Sequence, residues 1–197
     1  VVFPSVVWAY QEPGRERVTE DSPANPDRTT ASAVEAESLI MESAEDSDFD
    51  PLVLRLGWLY GPTSAQTQQI AKQMLSGEFV GVGRGLLGRT DTRLSMIHAE
   101  DAARSVVAGL DHGLTGVYHV VDDQPVTTSA VFQRLAEALN LSRPSTVPGW
   151  LAKHFVGEDM VSFLTRPFPS SNSKFKRKTD WEPTYPSIDS GFESVVA

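Results

Sequence analysis

The chain has 197 residues, with 17 Lys and Arg against 26 Asp and Glu, giving a formal net charge of −9 at pH 7. That length can bury one good core, or one domain with a small lobe, and the acidic balance argues against nucleic acid or an anionic membrane surface as the main partner. There is no cysteine, so disulfides, thiolate metal sites and Cys nucleophiles are excluded; no apolar run approaches the ~20 residues that span a bilayer, and a soluble cytoplasmic protein is the expectation.

The chain opens on an apolar β-type run, Val1 through Tyr10. Such a run belongs inside a sheet, so the chain is expected to begin mid-fold. Residues 11–31, rich in Pro, Glu, Asp, Arg and Thr, read as a surface loop. Val34, Leu39, Ile40 and Met41 among Ala and Glu then predict a helix capped by Thr30 or Ser32. An acidic turn follows over 46–50, and 51–55 reads as a buried strand. The spacing predicts a helix over 64–76 with Ile70, Met74 and Leu75 on one face, a short strand over 79–82, and an extended segment over 92–98. A helix over 100–110 ends at the turn His112-Gly113. Residues 116–121 are apolar on both faces, as in a strand buried on both sides. Thr127, Thr128 and Ser129 supply the cap of a helix that runs to Leu139. Short helices are expected over 148–155, 159–164, 174–179 and 187–196, with a loop over 167–171. Strands alternating with helices imply parallel βα units.

Gly81, Gly83, Gly85 and Gly88 fall close together, but Arg89-Thr90-Asp91-Thr92-Arg93 and an extended segment follow them. A dinucleotide loop would open a helix instead, so a hairpin-like loop is expected. The basic run Lys174 to Lys178 reads as a solvated helix face. His98 stands beside Glu100 and Asp101 and has the chemistry of a base, though starting the next helix is its expected role. Four histidines without a His-x-x-His or Glu-x-x-His pair make a metal site unexpected.

Three segments occur in a telling order: Leu54-Arg55-Leu56-Gly57-Trp58-Leu59-Tyr60-Gly61-Pro62, then Ser95-Met96-Ile97-His98-Ala99-Glu100-Asp101-Ala102, then Ser171-Asn172-Ser173-Lys174 with Trp181-Glu182-Pro183. Together they resemble the "LRPxxVYGP … SxIHVxDxA … SNxKxxxxLGWxP" series of the extended or atypical short-chain dehydrogenase/reductase superfamily, the NAD-dependent epimerase/dehydratase-like proteins. The resemblance implies an α/β fold: the C-terminal part of a Rossmann-like doubly wound parallel sheet (1–62) with a smaller α/β substrate lobe (63–197), from which some strands and helices return to the sheet. It implies NAD or NADP as cofactor, although no glycine-rich loop of the required type lies in this chain. It also implies oxidoreductase or epimerase chemistry on a nucleotide-sugar or small carbonyl or hydroxyl substrate, and allows a homodimer.

The family's Ser or Thr and its Tyr-x-x-x-Lys dyad carry that chemistry, the Lys lowering the pKa of the Tyr. Aligned on the motifs, Val6 takes the hydroxyl position with Ser5 one residue early, Thr29 falls at the tyrosine and Ala33 at the lysine. A Thr hydroxyl beside an Ala cannot perform that proton transfer. Ser5 and Tyr10 remain as weak catalytic candidates, and the alternative is a non-catalytic NAD(P)-binding or protein-interaction module on the same fold. Gly57, Tyr60, Gly61 and Pro62 match the cofactor-side turn at the carboxyl edge of the sheet, where ligands bind in open α/β folds. Trp58 either narrows the pocket or packs in the core. Arg93 and Ser95 are the substrate-binding candidates.

Overall fold

The computed structural model describes residues 1–10, 17–83 and 92–195. Its centre is a three-stranded parallel sheet in the order β1 (Val2–Val6), β2 (Leu52–Leu56), β7 (Gly116–Val120). Register pairs Val2 with Leu52 and Leu52 with Gly116. Strand β2 is central, and Leu52, Val53 and Leu54 are fully buried, as a parallel strand covered on both faces requires. Ser5, Arg55 and His119 stand opposite one another in a single row across the three strands.

Past Leu56 the backbone changes partners. Gly57 bends the chain into β3 (Trp58–Tyr60), which pairs with β6 (Met96–His98). A Cβ on Gly57 would stand 2.7 Å from the Met96 carbonyl oxygen, so only glycine passes there. The segment expected to be extended over 92–98 is two strands: β5 (Arg93–Leu94) pairs antiparallel with β8 (Val126–Thr127), and β6 pairs with β3. The pivot between them is Ser95, buried, its Oγ accepting from the Ser170 amide at 2.8 Å. Strands β4 (Gly81–Gly83) and β9 (Thr146–Pro148) form a further parallel pair. Gly85, Gly88 and the 89–91 part of the expected loop lie outside the described residues.

The helices are α1 (Ala31–Glu45), α2 (Ala65–Leu75), α3 (Ala99–Asp111), α4 (Thr128–Ala138), α5 (Gly149–Val156), α6 (Glu158–Thr165), α7 (Ser173–Lys178) and α8 (Ile188–Phe192), the last running into a 3₁₀ turn, Glu193–Val195. Ser64, His98 and Thr127 cap α2, α3 and α4 through side-chain acceptors.

Several expectations change. The Thr30 hydroxyl does not cap α1; it turns back to Asp27. The buried residue of α1 is Glu37, and Leu39 is exposed. Leu75 is exposed too, while Met74 beside it is buried. The 11–31 segment is not all surface loop: Val18 is buried and exchanges backbone hydrogen bonds with Pro169 and Ser171 at 2.7 and 2.9 Å. The basic run on α7 is more than a solvated face. Lys174 donates to the Val117 carbonyl at 2.8 Å and stands over the Tyr118 ring, and Lys176 bridges Asp123 and Glu182.

Two apolar clusters fill the molecule. One, around Leu52, Leu54, Ile97, Tyr118, Phe175 and Trp181, packs α3 and α7 on the sheet. The other, around Val7, Trp58, Tyr60, Phe132, Leu135 and Phe168, joins the ends of β1 and β3 to α4, α6 and α8.

Candidate functional site

Two polar arrangements lie near the carboxyl edge of the sheet. The first is buried beneath α1. An arginine inside an otherwise apolar strand needs a partner, because an unpaired buried charge is too costly. Arg55 on β2 finds it in Glu37: Nη2 meets Oε2 at 2.5 Å, and Nε reaches Oε1 and Oε2 at 3.0 and 3.1 Å. The other amine of Arg55 donates to the Tyr10 hydroxyl, and that hydroxyl lies 2.8 Å from His119 Nε2. The backbone amide of His119 donates to the Glu20 carboxylate at 2.8 Å, which ties in the segment after β1. Burial pushes the Tyr10 phenol above its ordinary value, and the nearby Arg55 only partly offsets that. Burial, reinforced by the Arg55 charge, drops His119 to about 3, so the ring is neutral. Tyr10 therefore stays protonated and His119 uncharged through the neutral range. Ser5 Oγ and His119 Nδ1 are buried without hydrogen-bond partners.

The second arrangement opens on solvent where β1 ends. Trp8, Asp27, Thr29, Phe163, Arg166 and Phe168 line a shallow cleft. Its walls are aromatic: Trp8 meets Phe163 edge-on at 5.1 Å and Phe168 at 5.7 Å between ring centres. Its floor is the turn before α1. Asp27 Oδ1 accepts from the Thr29 amide at 2.9 Å, the Thr29 hydroxyl at 2.6 Å, and the amide and hydroxyl of Thr30, both at 3.2 Å. Asp27 Oδ2 pairs with Arg166 Nη2 at 2.7 Å. Burial opposes ionisation of Asp27, yet the bonds from Thr29 and Arg166 prevail and hold its carboxyl well below the usual range.

The other candidates fall as follows. Tyr60 is fully buried, its ring against His98 and Phe192 and its hydroxyl donating to the Ser187 carbonyl at 3.2 Å. Gly61 takes φ +126, with His98 Nε2 where a side chain would begin. Gly57 lies against β6, and Pro62 is exposed. Trp58 is 7% exposed, edge-on to Phe132 and Phe163, with its indole nitrogen donating to Gln66 Oε1 at 2.8 Å. Through Phe163 it backs the cleft wall without lining the cleft. Arg93 donates to the Pro125 carbonyl at 3.1 Å, and Ser95 serves the Ser170 amide. Thus Tyr10 joins the buried network and Thr29 lines the cleft, while Trp58, Leu59 and Tyr60 of the 57–62 turn line a separate, mostly apolar cavity with Thr67, Ile70 and Phe192, and Arg93 and Ser95 join none of these. His98 accepts from the Glu100 amide and starts α3, as expected. Asn172 donates to the Val121 carbonyl and the Asp123 carboxylate, both at 2.8 Å, holding the C-terminal segment in place.

Sequence reasoning missed Trp8, Asp27, Phe163 and Arg166 as cleft residues. Asp27 followed by Thr29 and Thr30 is a legible turn signal, but nothing local marks Phe163 and Arg166 as neighbours of Trp8 in space. A further buried group also went unread. Asp122, just past β7, is 1% exposed, and it faces the Tyr60 hydroxyl and the His98 backbone without a well-formed hydrogen bond to either. Burial raises its pKa to about 8. Among the described residues no group of three or more His, Asp or Glu side chains could hold a metal ion, and no helix is long and apolar enough to cross a membrane.

No protein-family model matches the chain. Among curated proteins it is 31% identical over 196 residues to a 3-diazoavenalumate denitrifying reductase from Streptomyces, covering 97% of this chain and 63% of that protein. It is 26% identical over 187 residues to UDP-glucose 4-epimerase of Vibrio cholerae, covering 90% of this chain and 55% of the relative. The chain thus spans 63% and 55% of these relatives' length. Among solved structures, UDP-glucose 4-epimerase of Thermus thermophilus in complex with NAD superposes with a TM-score of 0.81 at 22% identity, over 99% of this chain and 62% of that one. Human epimerase family protein SDR39U1 (isoform 2) with NADPH gives 0.79 at 18%, over 99% and 64%. The fold is that of these Rossmann-type proteins, a partial extended short-chain dehydrogenase/reductase fold, the architecture that the three ordered motifs imply.

Proposed function

We propose that the chain is the substrate-facing part of an NAD(P)-dependent reductase that works without a Tyr–Lys proton relay. What supports this reading is the cleft beside β1: Thr29 lines it with its hydroxyl already committed to Asp27 at 2.6 Å, and the motif alignment puts Thr29 and Ala33 at the family's Tyr and Lys. The buried phenol, Tyr10, belongs to the Arg55 network and not to the cleft lining.

The described residues contain no glycine-rich strand-to-helix turn, so they supply no pyrophosphate cradle. What they fit is the reacting end of the cofactor, at the carboxyl edge of the sheet. When bound, the nicotinamide supplies a hydride. The roles left to this chain are binding, orientation and exclusion of water by Trp8, Phe163 and Phe168.

Chemistry separates the readings. Epimerising a sugar through a ketone moves a proton on and off a hydroxyl, which a positioned phenol performs. Reductive loss of a diazo group does not: an aryl diazonium that takes a hydride at the ring carbon bearing the nitrogen forms the C–H bond there while the C–N bonding pair leaves with dinitrogen, and no proton moves. The reductase relative therefore fits a site without the dyad better than the epimerase relative. A nucleotide-sugar epimerase and a non-catalytic NAD(P)-binding module are the competing readings, and the expected homodimer and cytoplasmic location are carried as proposals. To test the reading, a protein of the relatives' full length carrying these residues is mixed with NADPH and either an aryl diazonium acid or UDP-glucose, and cofactor oxidation and sugar epimerisation are followed. Diazonium-dependent oxidation with release of dinitrogen is expected; epimerisation at an ordinary enzyme rate, ~1 s⁻¹ or faster, would overturn it.

A further inference from the structure

Helices α5 and α6 form a hairpin held by little buried surface. Ala152 is the buried residue of α5 and Leu164 that of α6, whereas α4 buries five. Where the two helices meet, Phe155, Val156 and Met160 are exposed, and Gly157 between them takes φ +85. An element with so few buried contacts belongs to the part of a fold that opens most readily. Its two ends are held differently. At the root, the carbonyls of Leu164 and Thr165 accept from the Thr128 and Thr92 hydroxyls, both at 3.1 Å, and Arg166 pairs with Asp27. At the tip, Asp159 Oδ1 accepts from Arg28 Nε and Nη2 at 3.1 and 2.5 Å. That tip pair is 73% and 58% exposed, and exposed pairs are weak and screened by salt.

The neighbours Asp27 and Arg28 thus grip the root and the tip of α6, and Thr29 beside them lines the cleft. With the tip held, the cleft has room for about one water molecule, too little for a substrate. We propose that α5 and α6 are a single flap, hinged past Thr165 and latched at its tip by Arg28 and Asp159, which swings away from Trp8 to admit substrate. The proposal rests on the cleft being the reacting end of the site.

The chain has no cysteine, so a thiol placed under the flap reports its opening. Ala152, 2% exposed, lies on α5, while the latch is on α6. The full chain carrying Ala152→Cys is labelled with N-ethylmaleimide under native conditions. Adding Arg28→Gln or Asp159→Asn should each raise the labelling rate about two- to fivefold, the scale of one exposed ion pair. Both together should raise it no further, because they remove the same pair. Ala136→Cys, at a position 1% exposed in α4, should label at a rate indifferent to the latch. Amide exchange over 149–156 gives the same reading should Ala152→Cys not fold. A rate unchanged by the latch variants, exchange quickened in α6 but not in α5, or equal quickening at Ala136 would overturn the flap. Labelling needs neither cofactor nor substrate. A working flap without cofactor oxidation therefore sinks the reductase reading alone, and cofactor oxidation with labelling indifferent to the latch sinks the flap alone.

Discussion

Arg55 and Glu37 meet as a buried, forked ion pair, 2.5 Å at its closest, between the central strand and α1. The two side chains are 8% and 5% exposed. Such a pair is weak evidence of net stabilisation, but breaking it from one side strands the other charge. Glu37→Ala should therefore cost about 3–5 kcal/mol of unfolding free energy, read by urea denaturation, and should loosen Tyr10 and His119. A loss below ~1 kcal/mol, the range of exposed pairs, would mean that water reaches the network.

This pair also shows what the sequence carries and what it conceals. The strand over 51–55 is legible because five residues with four apolar side chains between a Pro and a Gly read as a covered strand. The Arg within it announces a buried partner, yet which acid answers depends on how α1 lies on the sheet: Val34, Ile40 and Met41 share the packed face with Glu37, but Leu39 does not, and nothing local marks Glu37 over Glu35 or Glu42. The turn over 57–62 is legible as a feature but not as a strand, since β3 exists only through pairing with residues some forty positions later. The cleft is least legible. Trp8 and Phe163 are remote in sequence, and only the packing of α6 on the end of β1 brings them to 5.1 Å.

Trp58 is the sharper test of core against cleft. It stands edge-on to Phe132 and Phe163, is held by Gln66, and lines an apolar cavity with Tyr60 and Ile70. Trp58→Ala should lose about 3–5 kcal/mol of stability through the cavity it leaves. A much smaller loss accompanied by altered ligand affinity would return Trp58 to the site.

Gly57 gives a second backbone test. An added methyl would collide with the Met96 carbonyl at 2.7 Å, and backbone cannot swing away as a side-chain tip can. Gly57→Ala should destabilise by about 1–3 kcal/mol, the ordinary cost of overpacking. A thermal melt unchanged from wild type would show that β3 and β6 can part.

His119 and Asp122 pull stability in opposite directions with pH, while Asp27 and His98, both lowered, add to the loss on acidification. His119, lowered to about 3, is neutral when folded, whereas the unfolded chain takes up a proton below its ordinary value of 6.5; that removes stability as pH falls from 6.5 toward 3. Asp122, raised to about 8, keeps its proton when folded while the unfolded chain loses it above 3.8; that removes stability as pH rises from 3.8 through 8. The two oppose each other between 3.8 and 6.5, and Asp122 acts alone from 6.5 to 8. Wild type should lose up to ~1.4 kcal/mol per pH unit in that upper window. Asp122→Asn should remove the slope, as denaturant midpoints across the window will show; a slope kept in the variant would assign it to another group.

The most direct measurement of the central claim is deuterium transfer from [4-²H]NADPH to an aryl diazonium acid, comparing wild type with Thr29→Val. The account predicts deuterium in the arene, release of dinitrogen and rates within about twofold between the two proteins, because the Thr29 hydroxyl moves no proton in the reaction. A fall of ~10² or more in Thr29→Val, the scale of a lost general acid or base, with the variant folded and still binding substrate, would contradict it.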